Sequence, residues 1–103
     1  MFLYESDTQE VDIEWLSDPE SQSNIDSGRD RALFYTNQAV EAEGENTHDT
    51  SDPPVDATSA VHNYRIDWDG TSSTFYVDDK LQYKFNTNVP TAKDGHWMWN
   101  NWS

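Results

Sequence analysis

Gln9-Glu10-Val11-Asp12-Ile13-Glu14-Trp15 places an acidic residue at every second position with apolar residues between. Strict alternation over such a run marks a β-strand with one buried face, because successive side chains point to opposite sides of a sheet. On that reading Glu10, Asp12 and Glu14 share the open face, while Val11, Ile13 and Trp15 turn inward. Period 2 continues outward from this stretch. A polar loop from Ser17 to Asp30, holding Pro19 and Gly28, leads to a second short strand over Ala32-Leu33-Phe34-Tyr35-Thr36. The acidic, Pro-containing stretch from Glu41 to Ser59 reads as a long surface loop. Three further runs, 61–68, 74–77 and 81–85, are separated by Asp69-Gly70 and Asp78-Asp79 and read as an antiparallel meander. His96-Trp97-Met98-Trp99-Asn100 is a last strand. No stretch has sustained helical periodicity, so the expected class is all-β, an antiparallel sandwich or jelly roll.

The size fits one domain over 1–103 at most. Six basic against 20 acidic residues give a net charge of −14, which disfavours nucleic-acid phosphates and anionic membrane surfaces as partners. No apolar run approaches the ~20 residues of a membrane-spanning helix. Met1-Phe2-Leu3-Tyr4-Glu5 has neither the basic nor the apolar region of a signal peptide. With no Cys there is no disulfide framework or thiolate chemistry, and the three His lack metal-ligand spacing. No cofactor or metal is expected. Aromatics are 14% of the chain, more than a disordered chain carries. Flat sugar faces stack on Trp and Tyr, so an acidic, aromatic-rich chain suits a carbohydrate partner.

Three carboxyls on one strand face stand roughly 6.6–6.8 Å apart at Cα per two-residue step. Retaining hydrolysis of a glycosidic bond needs two carboxyls about 5–5.5 Å apart, so the outer glutamates must lean together. Crowding like charges raises at least one pKa, and a carboxyl kept protonated near neutral pH is what an acid catalyst requires. An ordinary solvated strand in an acidic protein would show the same pattern. A flat strand is a poor cage for calcium, which takes six to eight oxygen ligands.

Six blocks taken together narrow the choice. Glu10-Val11-Asp12-Ile13-Glu14 resembles the E-x-D-x-E signature of glycoside hydrolase family 16, the lichenase, laminarinase and xyloglucan transglycosylase group. Tyr35-Thr36-Asn37 resembles the cleft-lining strand that follows it, and the runs at 61–68, 75–81 and 88–90 follow the family's later blocks in order. Met98-Trp99-Asn100-Asn101-Trp102 is similar to its M-x-x-N-x-W strand. The wording is nearest to fungal secreted or cell-wall members. The unbulged signature is the form associated with lichenases and transglycosylases.

The resemblance implies a concanavalin A-like jelly roll and retaining chemistry on β-1,3/1,4-glucan, without a cofactor, by an extracellular or cell-wall monomer. It also implies Glu10 as nucleophile, Glu14 as general acid/base and Asp12 as the residue tuning the nucleophile. Tyr35, Asn37, Trp99, Asn101 and Trp102 are the expected sugar contacts. Trp15 is expected in the core, and His62 as a partly buried, satisfied histidine. Family domains are longer, so the chain is expected to be a fragment or a shortened gene product. Asp79 stands where the family's turn carries glycine. The rival expectation is a sugar-binding or inert remnant of such a domain. A third is an unrelated acidic interaction module.

Overall fold

The computed structural model describes residues 1–39 and 48–101. Among the described residues eight strands form two antiparallel sheets: β1 (Phe2–Ser6), β2 (Gln9–Trp15), β3 (Leu33–Ala39), β4 (His48–Ser51), β5 (Tyr64–Trp68), β6 (Ser73–Val77), β7 (Lys80–Phe85) and β8 (His96–Met98). The first sheet has five strands in the order β4-β3-β2-β1-β8, and the second is the three-stranded meander β5-β6-β7. The molecule is the expected all-β antiparallel jelly-roll sandwich of concanavalin A-like type. The acidic strand β2 is the central strand of the wider sheet.

The core lies between the sheets. Val11, Ile13, Leu33 and Tyr35 from the wide sheet meet Phe75, Val77 and Phe85 from the meander, with Tyr64, Ile66, Trp68 and Tyr83 packed around them. Apolar burial of this kind stabilises by roughly 25 cal/mol per Å². Phe75, fully buried, stacks obliquely on Tyr35 at 5.2 Å and edge-on to Phe85 at 5.9 Å. The meander turns as anticipated. Asp78 and Asp79 both take left-handed φ values, 49° and 63°, so the reversal forms without glycine, as a short polar side chain permits. At the other end the Asp69 carboxylate accepts from Thr71 N–H, Thr71 Oγ1 and Ser72 N–H, each at 2.8 Å. Those bonds hold its pKa down at about 2.

Three elements and one side chain differ from the sequence reading. Phe2–Ser6 is an additional strand, joined to β2 on one side and β8 on the other. His48–Ser51 pairs with β3 inside the stretch expected to be loop, while 41–47 of that stretch lie outside the described residues. Gln22–Ser27, expected as loop, forms one and a half turns of helix (α1), closed by Gly28 in the left-handed conformation. Asn24 is the reason this turn is fixed. Fully buried, it donates to the carbonyls of Leu16 (2.9 Å) and Asp18 (2.7 Å) and accepts from Ala32 N–H (2.9 Å). Trp15 is 38% exposed rather than core, because it ends β2 at the margin of the sandwich.

The connection from β7 to β8 is tied back across the sandwich. Gln9 Oε1 accepts from Thr91 and Ala92 N–H (2.6 and 2.8 Å), and Trp68 Nε1 donates to the Pro90 carbonyl (2.8 Å). Gly95 then passes so close to β1 that a Cβ there would lie 3.0 Å from the Tyr4 carbonyl oxygen.

Candidate active site

Residues directly opposite in an antiparallel pair share a face, so the register maps the side chains. Glu10 stands opposite Gln38 and Tyr4, Asp12 opposite Thr36 and Phe2, and Glu14 opposite Phe34. These rows continue outward to His96 and Met98 on β8 and to His48 and Thr50 on β4. The three acids therefore lie in one line along the middle of the face turned away from the meander. Val11 and Ile13 lie on the other side, in the core.

Within the line the environments differ. Asp12 is 5% exposed, while Glu10 and Glu14 are partly exposed. Burial pushes the Asp12 carboxyl up to about 8, helped by a hydrogen bond shared with Glu10 and by the charges of Glu10 and Glu14; a bond from the Gln38 amide opposes the shift. At neutral pH Asp12 thus carries a proton that it can donate to Glu10. The expected raised carboxyl exists, and it is the middle one. Neutral Asp12 lets two glutamates share a strand face without a third full charge between them.

The proposed sugar contacts separate. Tyr35 and Asn37 stand opposite Ile13 and Val11, on the core face, and both are fully buried. Tyr35 OH bonds Ser51 Oγ at 2.7 Å, burial raises its pKa, and neither polar atom of the Asn37 amide has a partner. Neither side chain presents surface to a sugar on the acidic side. The residues of β3 that do share the acidic face are Phe34, Thr36 and Gln38. Alternation isolates these two sets within the strand, but only pairing with β2 says which set faces the acids.

Trp99, 71% exposed, lines a cavity of about 320 Å³ with Met1, Ile13, His62 and Tyr64, on the core side of the sheet. Asn101 lies near Phe2 and Glu14, around a small cavity of about 90 Å³. Trp102 is outside the described residues. His62, expected to be satisfied, is bonded at one ring nitrogen only, and its buried Nε2 makes no hydrogen bond. Its Nδ1 bonds Asp78 at 2.7 Å, and Nε2 lies 3.1 Å from the Asp56 carboxylate. The Asp78 bond is the main cause of its raised pKa. Among the described residues no group of His, Asp and Glu is arranged to hold a metal ion, and no helix is long and apolar enough to cross a membrane.

An antiparallel sandwich with a line of carboxyls along its open face has the architecture of a carbohydrate-active domain. Residues 1–97 match the glycosyl hydrolases family 16, and the chain belongs to that family. It is also similar to a beta-glucanase of Bacillus amyloliquefaciens, 33% identical over 94 residues. The aligned region is 91% of this chain and 34% of that relative, so the chain spans about a third of the relative's length. No solved structure matches it.

Proposed function

We propose that the chain is a partial catalytic domain, over 1–103, of a retaining endo-β-glucan hydrolase or transglycosylase acting on β-1,3/1,4-linked glucan. Family membership supports a glycosidase, and the beta-glucanase relative supports glucan as substrate. The observation that carries the reading is the buried Asp12 between two glutamates on one open strand face. Glu10 attacks the anomeric carbon, and its carboxylate is held by the hydrogen bond from Asp12. Glu14 protonates the leaving oxygen, then takes a proton from water or from a sugar hydroxyl as the glycosyl-enzyme is resolved. Asp12 positions Glu10 and takes no part in bond making. We further assign the chain to the lichenase and transglycosylase branch, in a fungal-type, extracellular or cell-wall setting, acting as a monomer without a nucleic-acid partner.

Reducing-end release from lichenan and laminarin tests this reading. The parent chain releases reducing ends, and Glu10→Gln and Glu14→Gln each abolish release; full turnover by either variant contradicts the assignment. The shorter span relative to the beta-glucanase favours one second reading, a domain that binds glucan without cutting it. Binding without release in the same assay selects that reading, since precise positioning of substrate is what catalysis adds to binding.

A further inference from the structure

The chain crosses from the wide sheet to the meander between β4 and β5, and two ties hold that crossover. At its start Arg29 pairs with Asp52 and donates to Thr50 Oγ1 at 3.2 Å. Near its end a turn over 54–60 presents the Asp56 carboxylate to His62. Bonds from Ala57 N–H to the Pro54 carbonyl and from Ser59 and Ala60 N–H to the Asp56 carbonyl close that turn. The first tie keeps its charge, since a guanidinium does not lose its proton in a protein. The second depends on an imidazole, which does.

His62 stands between two carboxylates with its side chain only 10% exposed. Asp78 is the fixed partner. Its backbone N–H donates to the Asn63 carbonyl at 2.8 Å, its carboxylate accepts from Asn63 N–H at 2.9 Å, and His62 Nδ1 lies 2.7 Å away. Asp56 is the loose partner, half-exposed and 3.1 Å from a buried Nε2 that makes no hydrogen bond. A neutral imidazole has one N–H and one lone pair. When Asp78 takes the N–H, the lone pair on Nε2 is left beside the Asp56 carboxylate, and that contact becomes repulsive. Only the imidazolium is attracted to both acids. The other groups nearby leave this order unchanged. Tyr64 on β5 stays neutral, because burial raises its pKa, while Lys80 helps hold Asp78 ionised and Asp79 is paired with Arg65. The α-amino group of Met1 stands at the cavity that His62 lines, and burial lowers its pKa. The bond with Asp78 does most to raise the pKa of the ring; burial opposes it, and the charges of Asp78 and Asp56 add to the rise. We propose that His62 is a proton-operated clasp, whose imidazolium joins the 54–60 turn to the β6–β7 reversal and whose neutral form releases the turn. The clasp is closed at acid pH and opens as pH rises through the folded value, while the Arg29 tie persists. It is independent of the chemistry proposed for the acidic face.

The test follows the His62 ring and the backbone amides of the full chain by NMR from about pH 5 to about pH 9. The ring titrates above its ordinary value of about 6.5. Below that midpoint the amides of Asp56, Ala57, Ser59 and Ala60 have the order parameters of rigid backbone, about 0.85, and above it they fall towards about 0.6. Thr50, at the Arg29 tie, stays rigid throughout. Asp56→Ala, at an exposed position outside the core, lowers the His62 midpoint and leaves the turn mobile at every pH. A turn whose mobility is constant, or changes at the midpoint of the Met1 α-amino group rather than of the His62 ring, overturns the clasp. A His62 midpoint unmoved by Asp56→Ala overturns it as well.

Discussion

In the three-stranded sheet the charged groups lie outside, and several meet partners close by. Arg65 lies 4.0 Å over the Tyr76 ring and pairs with Asp67 and Asp79 at 3.2 and 3.3 Å, and Asp78 holds His62. In the five-stranded sheet Asp12 is buried between two other carboxyls, and the Asn37 amide is buried without a partner. Both features cost folding free energy, Asp12 because it keeps a proton that the unfolded chain releases, and Asn37 because a buried amide is stabilising only when satisfied. The meander buries one unpartnered polar group as well, the Ser73 hydroxyl on β6, but no carboxyl. The wide sheet gives up stability along its central line, where the proposed chemistry is, and relies on the meander to cover its other face.

The largest expected effect tests that reliance. Phe75→Ala removes the ring that joins Tyr35 to Phe85 and should cost about 3–5 kcal/mol, measured by urea denaturation. A loss under about 1 kcal/mol would mean that the meander does not support the wide sheet. Asp12→Asn comes next and has the opposite sign. The folded chain keeps a proton on Asp12 that the unfolded chain releases. Stability from this group is therefore fully present below about pH 4 and falls as pH rises towards 8. Asp12→Asn should remove that decline and, above pH 8, stabilise by something on the order of 1–4 kcal/mol, while lowering glucan hydrolysis. An unchanged pH profile of stability would place the buried charge elsewhere.

Gly95→Ala probes the seam between β8 and β1. Its Cβ would meet the Tyr4 carbonyl oxygen at 3.0 Å and the Leu3 Cδ1 at 3.1 Å, and the expected destabilisation is about 1–3 kcal/mol by thermal unfolding. The smallest effect is at His62. Its pKa is raised by Asp78, so its contribution is complete below about pH 6.5 and fades as pH rises through the folded value. His62→Gln should remove a slight stability gain seen at pH 5.5 and leave pH 9 unchanged. A larger loss at pH 9 would show that His62 acts through packing.

The meander was legible in the sequence because its strands are consecutive and its turns carry local signals at Asp69-Gly70 and Asp78-Asp79. The acidic line was legible because β2 alternates without a break. The rest of the wide sheet depends on pairings distant in sequence. Phe2-Leu3-Tyr4 hides its alternation, since Phe2 and Tyr4 are apolar residues on the acidic face. His48-Asp49-Thr50-Ser51 is polar on both sides and resembles loop. α1 has only six residues and is fixed by the side chain of Asn24 rather than by an apolar stripe. Tyr35 and Asn37 were placed on the wrong side because alternation leaves parity open, and a one-residue change of register exchanges the faces of a strand.

The protonation of Asp12 is the most direct measure of the acidic line. In a chain labelled at the aspartate carboxyl carbons, the Asp12 signal should remain that of a protonated acid at pH 7 and titrate near 8, falling to lower pH in Glu10→Gln as the shared hydrogen bond and the neighbouring charge are lost. An Asp12 signal titrating near 4, unmoved by Glu10→Gln, would contradict the arrangement on which the catalytic reading stands.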